Sequence, residues 1–261
     1  MMAMQKTSVA LAIALAALAS TPAFAQWLNQ KTAGLPRNAD GTPNLTAPAP
    51  RTPDGKADLS GIWQANGVKY LRDIAADLKP GDVPFQPWAE ALFIERKSGI
   101  HAWTESDANC LPQGVPKINA TPVPYRIVQT PGYVVILYEA FNLWRQVFTD
   151  GRSLPNNPNP SWLGYSVGKW EGDTLVVDSI GFNDKTWLDQ VGHPLSDALH
   201  VTERFRRKDF GHMELEITID DPKAYTKPWT VKQDPVLVPD TELLEFICNE
   251  NEKDLVHMRP K

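Results

Sequence analysis

Tyr165-Ser166-Val167-Gly168-Lys169-Trp170-Glu171-Gly172-Asp173-Thr174-Leu175-Val176-Val177-Asp178 is the stretch that decides the fold. Two short runs rich in Val, Tyr, Thr and Trp flank the polar turn Glu171-Gly172-Asp173, which can reach the dihedrals of a tight hairpin. Strands joined so briefly are antiparallel neighbours. Runs of the same kind lie at 125–129, 133–139, 145–149, 164–170, 174–180, 199–207, 213–219, 229–236 and 243–248. Pro131-Gly132, Asp150-Gly151, Asp209-Phe210-Gly211 and Pro239-Asp240-Thr241 punctuate them as turns. With an early strand at Ile62-Trp63, about nine such hairpin strands suffice to curl a twisted sheet and hide its edges.

The expected fold is therefore mainly β, an antiparallel up-and-down barrel or strongly curved sheet with one packed helix. Trp88, Leu92 and Phe93 recur at helical spacing, with Pro87 suited to the helix start and Gly99 to its end. Barrels of roughly eight or more strands can enclose a small ligand. Upstream, residues 26–57 form a Pro/Gly-rich leader in which Pro36, Pro43, Pro48, Pro50 and Pro53 break regular structure. Residues 58–261 are expected to be a single β-rich domain.

The chain opens with a short positive segment at Met1–Lys6, then an Ala/Leu/Ile/Val run to Ser20 and the small-x-small sequence Ala23-Phe24-Ala25. This pattern predicts a signal peptide over 1–25, cleaved before Gln26, and a periplasmic or secreted location. The apolar run is shorter than the roughly 20 residues that a membrane span needs. The export expectation bears on Cys110 and Cys248, the only two cysteines. Outside the cytoplasm they are expected to pair, since neither has a CxxC partner or an adjacent histidine. The net charge is −5, and basic residues are scattered apart from Arg204, Arg206, Arg207 and Lys208. No nucleic-acid partner is expected.

The densest collection of chemically capable side chains lies in the connection and strand at 182–206: Asn183, Asp184, Trp187, Asp189, His193, His200, Glu203 and Arg206. Long connections of this kind are functional or disordered, and Trp187 argues for order. Three readings compete. In the first, His193 or His200 moves a proton, Asp189 or Glu203 orients the imidazole, and an arginine meets a developing anion. In the second, both histidines and a carboxylate bind a metal, although their spacing matches no ligand motif. In the third, His193 caps a turn, Glu203 pairs with Arg145 or Arg206, and the aromatics are core. Strand alternation places Val201, Glu203, Phe205 and Arg207 on one face, and His200, Thr202, Arg204 and Arg206 on the other.

Arg145 within an apolar hairpin is costly to bury unless a carboxylate or ligand anion meets it. Trp162 and Tyr165 are expected to line a rim. The chain has no GxSxG, HExxH, P-loop or dinucleotide fingerprint, so no cofactor is expected. Nine tryptophans suit an apolar, aromatic or carbohydrate ligand.

The hairpin quoted above, followed by Gly181-Phe182-Asn183-Asp184, Thr186-Trp187-Leu188-Asp189 and Gly192-His193-Pro194, resembles a family of uncharacterised exported bacterial proteins. The resemblance extends over Cys110-Leu111-Pro112-Gln113-Gly114-Val115-Pro116, Thr202-Glu203-Arg204-Phe205 and Tyr225-Thr226-Lys227-Pro228-Trp229. It implies export and assigns no activity. Gly61-Ile62-Trp63 is similar to the G-x-W of lipocalins, which implies a ligand-holding, calycin-like barrel.

Two functions follow as expectations. One is binding of a small apolar or aromatic molecule under the 182–198 loop, with Arg145, Trp162, Tyr165, Asn183, Trp187 and Arg206 as ligand contacts. The alternative is a cofactor-independent lyase, isomerase or hydrolase on the same scaffold, with His193, His200, Asp189 and Glu203 as catalytic groups. An envelope protein without a pocket is the third possibility.

Overall fold

The computed structural model describes residues 31–250. The signal-peptide reading of 1–25 lies outside the described residues. Ten strands form one strongly curved sheet: β1 (Gly61–Gln64), β2 (Tyr125–Thr130), β3 (Tyr133–Tyr138), β4 (Leu143–Phe148), β5 (Tyr165–Glu171), β6 (Thr174–Ile180), β7 (His200–Arg207), β8 (Met213–Asp220), β9 (Trp229–Gln233) and β10 (Val236–Leu237). Their order is β10-β1-β2-β3-β4-β5-β6-β7-β8-β9.

Period-2 alternation sets the curl. Met213, Leu215, Ile217 and Ile219 of β8 face the interior, and Glu214, Glu216 and Thr218 face out. Trp63, Tyr125, Ile127, Ile136, Val177 and Phe205 meet them from the other strands. Each buried side chain of this size contributes about 1.5–3 kcal/mol. The two ends of the sheet meet on one segment. Val236 and Leu237 pair with Gln64 and Trp63 of β1, while Val236 also bridges to His212 and the Leu237 N–H donates to Gly211 O at 2.8 Å.

The turns at Pro131-Gly132 and Gly172-Asp173 are two-residue hairpin loops, and Gly132 (φ +75°) and Gly172 (φ +61°) supply the left-handed backbone they require. Asp150-Gly151 is different. It opens a connection over 149–164 that returns the chain so that β5 lies parallel to β4, through Val147↔Ser166 and Phe148↔Val167. A parallel pair needs such a crossover. The run at 229–236 is interrupted by Asp234-Pro235, which divides it into β9 and β10. The run at 243–248 joins no strand, because the edge of β1 is already taken by β10. Side chains hold it instead: Leu244 N–H donates to Glu139 Oε2 (3.0 Å), and Asn142 exchanges hydrogen bonds with both backbone groups of Phe246. Cys248 at its end is disulfide-bonded to Cys110, with 5.4 Å between Cα atoms.

Among the described residues, two α-helices accompany the sheet, the single turn α1 (Lys69–Arg72) and α2 (Pro87–Lys97). Pro87 occupies the first turn of α2, and Gly99 beyond its end has φ +90°. Only Ala89 of α2 is fully buried, so the helix rests lightly on the domain. Trp88 is largely exposed, and its indole N–H reaches Lys223 O at 2.7 Å. Residues 31–57 run along the sheet, with Leu45 O and Ala47 O accepting the N–H groups of Gly211 and Phe210. Arg37 and Arg51 each close a small turn of this segment and tie it to Asp240 (2.6 Å) and Asp173 (2.7 Å). No helix of the described residues is long and apolar enough to cross a membrane.

Candidate functional site

Asp189 and His193 face each other across one turn of the long β6–β7 connection. Asp189 is completely buried and His193 nearly so. Asp189 Oδ2 accepts His193 Nδ1–H at 2.5 Å and the Ile74 N–H at 2.9 Å. Its Oδ1 accepts the N–H groups of Gly192 (2.9 Å) and His193 (3.1 Å). The turn itself is pinned to α1, since Gln190 N–H and Val191 N–H donate to Leu71 O and Arg72 O. Around the imidazole stand Phe93 (centroids 4.3 Å apart), Phe85 (5.5 Å, stacked nearly parallel) and Trp229 (5.8 Å).

A carboxylate only accepts, so Nδ1 of a neutral His193 carries the proton and Nε2 presents a lone pair. No hydrogen bond among the described residues engages Nε2. His193 lines a cleft of about 590 Å³ between α2 and the 73–85 segment, whose walls include Leu78, Val83, Phe85 and Phe93. Asp73, Glu90, Lys79 and Lys97 bring charge to the same cleft. Asp73, Asp189 and His193 hold potential ligand atoms within 4.8 Å of one another. Yet both Asp189 oxygens already accept two N–H donors each, which exhausts the carboxylate. A cation there would have to displace one of them.

A second polar group occupies the interior of the sheet. Arg145 projects inward from β4, and its side chain is 1% exposed against 0% for Glu203. Arg145 Nη2 donates to Glu203 Oε2 (2.5 Å) and Ser179 Oγ (2.7 Å), and Nε donates to Ser166 Oγ (3.0 Å). Glu203 Oε1 accepts from Asn119 Nδ2 (2.6 Å), whose Oδ1 accepts from Tyr138 OH (2.9 Å). Burial works against the Arg145 charge, but the attraction of Glu203 and Tyr138 outweighs it and holds the guanidinium above its usual range. Arg145 Nη1 and Tyr125 OH are buried without partners among the described residues. Burial pushes the Tyr125 and Tyr138 phenols well up.

A third cluster braces the segment after Cys110. Lys117, 1% exposed, is ion-paired with Glu105 and with Asp107 Oδ2 (3.0 Å), and Gln113 Nε2 also donates to Asp107 Oδ2. Sequence reasoning missed these residues, as it missed Asp73, Asn119 and Tyr138. A lysine in a proline-rich stretch has no local signature of burial, although its partners Glu105 and Asp107 are near in the chain, whereas Asn119 meets Glu203 across 84 residues.

The structure separates the residues that proximity in sequence had grouped. His193 and Asp189 come together. His200 lies on the outer face of β7, where Nε2 meets Asp178 Oδ1 at 3.0 Å, so it shares no site with His193 and the two-histidine metal set does not assemble. Glu203 points inward to Arg145 rather than to a histidine, as the alternation of β7 requires. Arg206 is a surface residue paired with Glu214 (3.0 Å). Asn183 serves a local turn, accepting the Lys185 N–H. Trp187 is buried beneath the Arg96 guanidinium, 4.4 Å from the ring centroid. Arg145, Trp162 and Tyr165 do share a place, a separate cleft of about 440 Å³ beside β4. The chain matches no protein-family model, no curated protein and no solved structure in the comparisons.

Proposed function

We propose that this chain is an exported protein that binds a small, largely apolar or aromatic molecule carrying a hydrogen-bond donor, in the cleft between α2 and the 73–85 segment. One observation carries the reading: Asp189 engages Nδ1 of His193 and leaves Nε2 without a partner among the described residues, on a ring that lines the cleft with Phe85 and Phe93. The cleft volume falls within the range of small-molecule sites, and its Leu78, Val83, Phe85 and Phe93 wall offers apolar contact beside the charged Asp73, Lys79, Glu90 and Lys97. The sequence pattern of residues 1–25 and the Cys110–Cys248 bridge support export. An intact mass beginning at Gln26 for protein recovered outside the cytoplasm of its host checks that part.

Phenol and anisole separate the binding reading from its absence. Both place a phenyl ring in the cleft, but only phenol can donate to Nε2. Titrations followed by the His193 side-chain resonances are expected to show phenol binding at least tenfold more tightly than anisole. Equal affinities, or no response of His193 to either, overturn the proposal.

The Asp189–His193 pair also supports the second reading, a cofactor-independent lyase, isomerase or hydrolase. Nε2 would take a proton from substrate or water, while Asp189 stabilises the resulting imidazolium. Arg145, the anion partner considered for such chemistry, is held by Glu203 in another cleft. Turnover of phenyl acetate that His193→Gln abolishes, in a variant with wild-type unfolding behaviour, would favour catalysis over binding alone.

A further inference from the structure

β4 and β5 are joined only through Val147↔Ser166 and Phe148↔Val167. The first half of β4 therefore has no partner strand on that side, and the chain before β5 turns away to bridge Ser161 to Phe182. The gap is the cleft of about 440 Å³, lined by Arg145, Ser166, Trp144, Phe148, Trp162 and Tyr165 among others, and it shares no lining residue with the His193 cleft.

Two independent features of this gap lack an explanation within the fold. Arg145 is almost completely buried, its Nε and Nη2 are satisfied, and Nη1 is not. A buried donor without an acceptor costs about 1–3 kcal/mol, and more when charged. Trp144 is 60% exposed on the face of β4 opposite Arg145, and the stacked Phe148–Tyr165 pair, with centroids 5.4 Å apart, lines the same cleft. Large aromatic surface of this kind around a deep polar group is the chemistry of a recognition site.

We propose that this gap is a second ligand site, for a planar aromatic molecule bearing a neutral oxygen acceptor such as an amide or ketone. The oxygen takes the free Arg145 Nη1–H, and the ring lies against the aromatic lining. Glu203 decides the charge. It already neutralises Arg145, so a carboxylate ligand would leave a buried net negative charge, whereas a carbonyl leaves the cluster neutral.

Benzamide and benzoate test this directly on the intact, disulfide-bonded protein. Benzamide at millimolar concentration is expected to shift the Arg145 Nε–H resonance and the indole N–H resonances of Trp144 and Trp162. Benzoate is expected to bind at least tenfold more weakly, and saturating phenol is expected to leave benzamide binding unchanged. The last result separates this site from the His193 cleft, so either reading can fail alone. Benzoate binding as well as benzamide overturns the proposal. So does an Arg145 resonance that benzamide leaves unmoved, or a crystal structure soaked in benzamide with only an ordered water on Nη1.

Discussion

Asp189 holds the imidazole of His193 with the same carboxylate that ties the chain just after α1 to the β6–β7 connection: one oxygen serves His193 Nδ1 and Ile74 N–H, the other Gly192 and His193 N–H. Replacing Asp189 by Ala leaves three buried backbone donors and an imidazole N–H without partners. At about 1–3 kcal/mol for each orphaned group, the expected loss is roughly 3 kcal/mol or more. Asp189→Asn keeps one acceptor and loses less. Urea unfolding checks the ranking, and a loss below about 1 kcal/mol for the alanine variant would contradict the bracing role. Both variants should weaken phenol binding, because an unheld ring no longer presents Nε2 to the cleft.

The buried Arg145–Glu203 pair predicts asymmetric mutational costs. Glu203→Leu strands a guanidinium inside the sheet and is expected to cost about 3–5 kcal/mol. The double variant Arg145→Met, Glu203→Leu removes both charges, and it is expected to lie near wild type or above it. A double-mutant cycle by urea unfolding measures the coupling. Additive single and double effects would mean that the two charges do not depend on each other.

Much of this architecture is legible locally. Met213 to Ile219 announce an inner and an outer face, Gly132 and Gly172 mark real hairpin turns, and Pro87 and Gly99 bracket the long helix. The curvature follows from the number of strands. The parallel β4–β5 contact is not legible, because a long connection containing Pro155, Pro158 and Pro160 specifies neither the partner nor the direction of the next strand. At the site, Asp189 and His193 are four residues apart and readable as a pair. Asp73, Phe85 and Phe93 approach them only through tertiary packing, which no spacing encodes. His200 and Glu203 show the opposite error: closeness in sequence suggested a common site, while period-2 alternation sends them to opposite faces.

Burial pushes Tyr125, Tyr138 and Tyr225 up, with neighbouring carboxylates adding to the shift. A phenol whose folded pKa exceeds its unfolded value of about 10 gives stability that is complete below that pH and declines above it, since only the unfolded chain then releases the proton. Phenolate absorbance should show these three tyrosines silent until the fold collapses, and then ionising together with the loss of β-sheet circular dichroism. Their ionisation in a protein that retains its circular dichroism would contradict this.

The Cys110–Cys248 bridge closes 138 residues of chain. The chain-entropy account gives a loop of this length an upper contribution of about 5 kcal/mol. Its local effect differs from its global one. Residues 243–248 make no strand, and the Glu139 and Asn142 hydrogen bonds and an edge-on Phe141–Phe246 contact are what else holds them. Contacts so few cannot offset the ordering of a free segment, at about 1–2 kcal/mol per residue. Reduction should therefore release this segment first and lower the melting temperature, by roughly 10 °C if most of the entropic term is realised. Hydrogen exchange should show protection lost around Phe246 but kept in β7 and β8. Asn142→Ala in the oxidised protein tests the division of labour. It removes the side-chain tether at a cost of about 1 kcal/mol and should leave the segment in place, because the bridge alone fixes its end. A segment that detaches in oxidised Asn142→Ala, or stays protected after verified reduction, would assign its docking to the hydrogen bonds in the first case and to neither tether in the second.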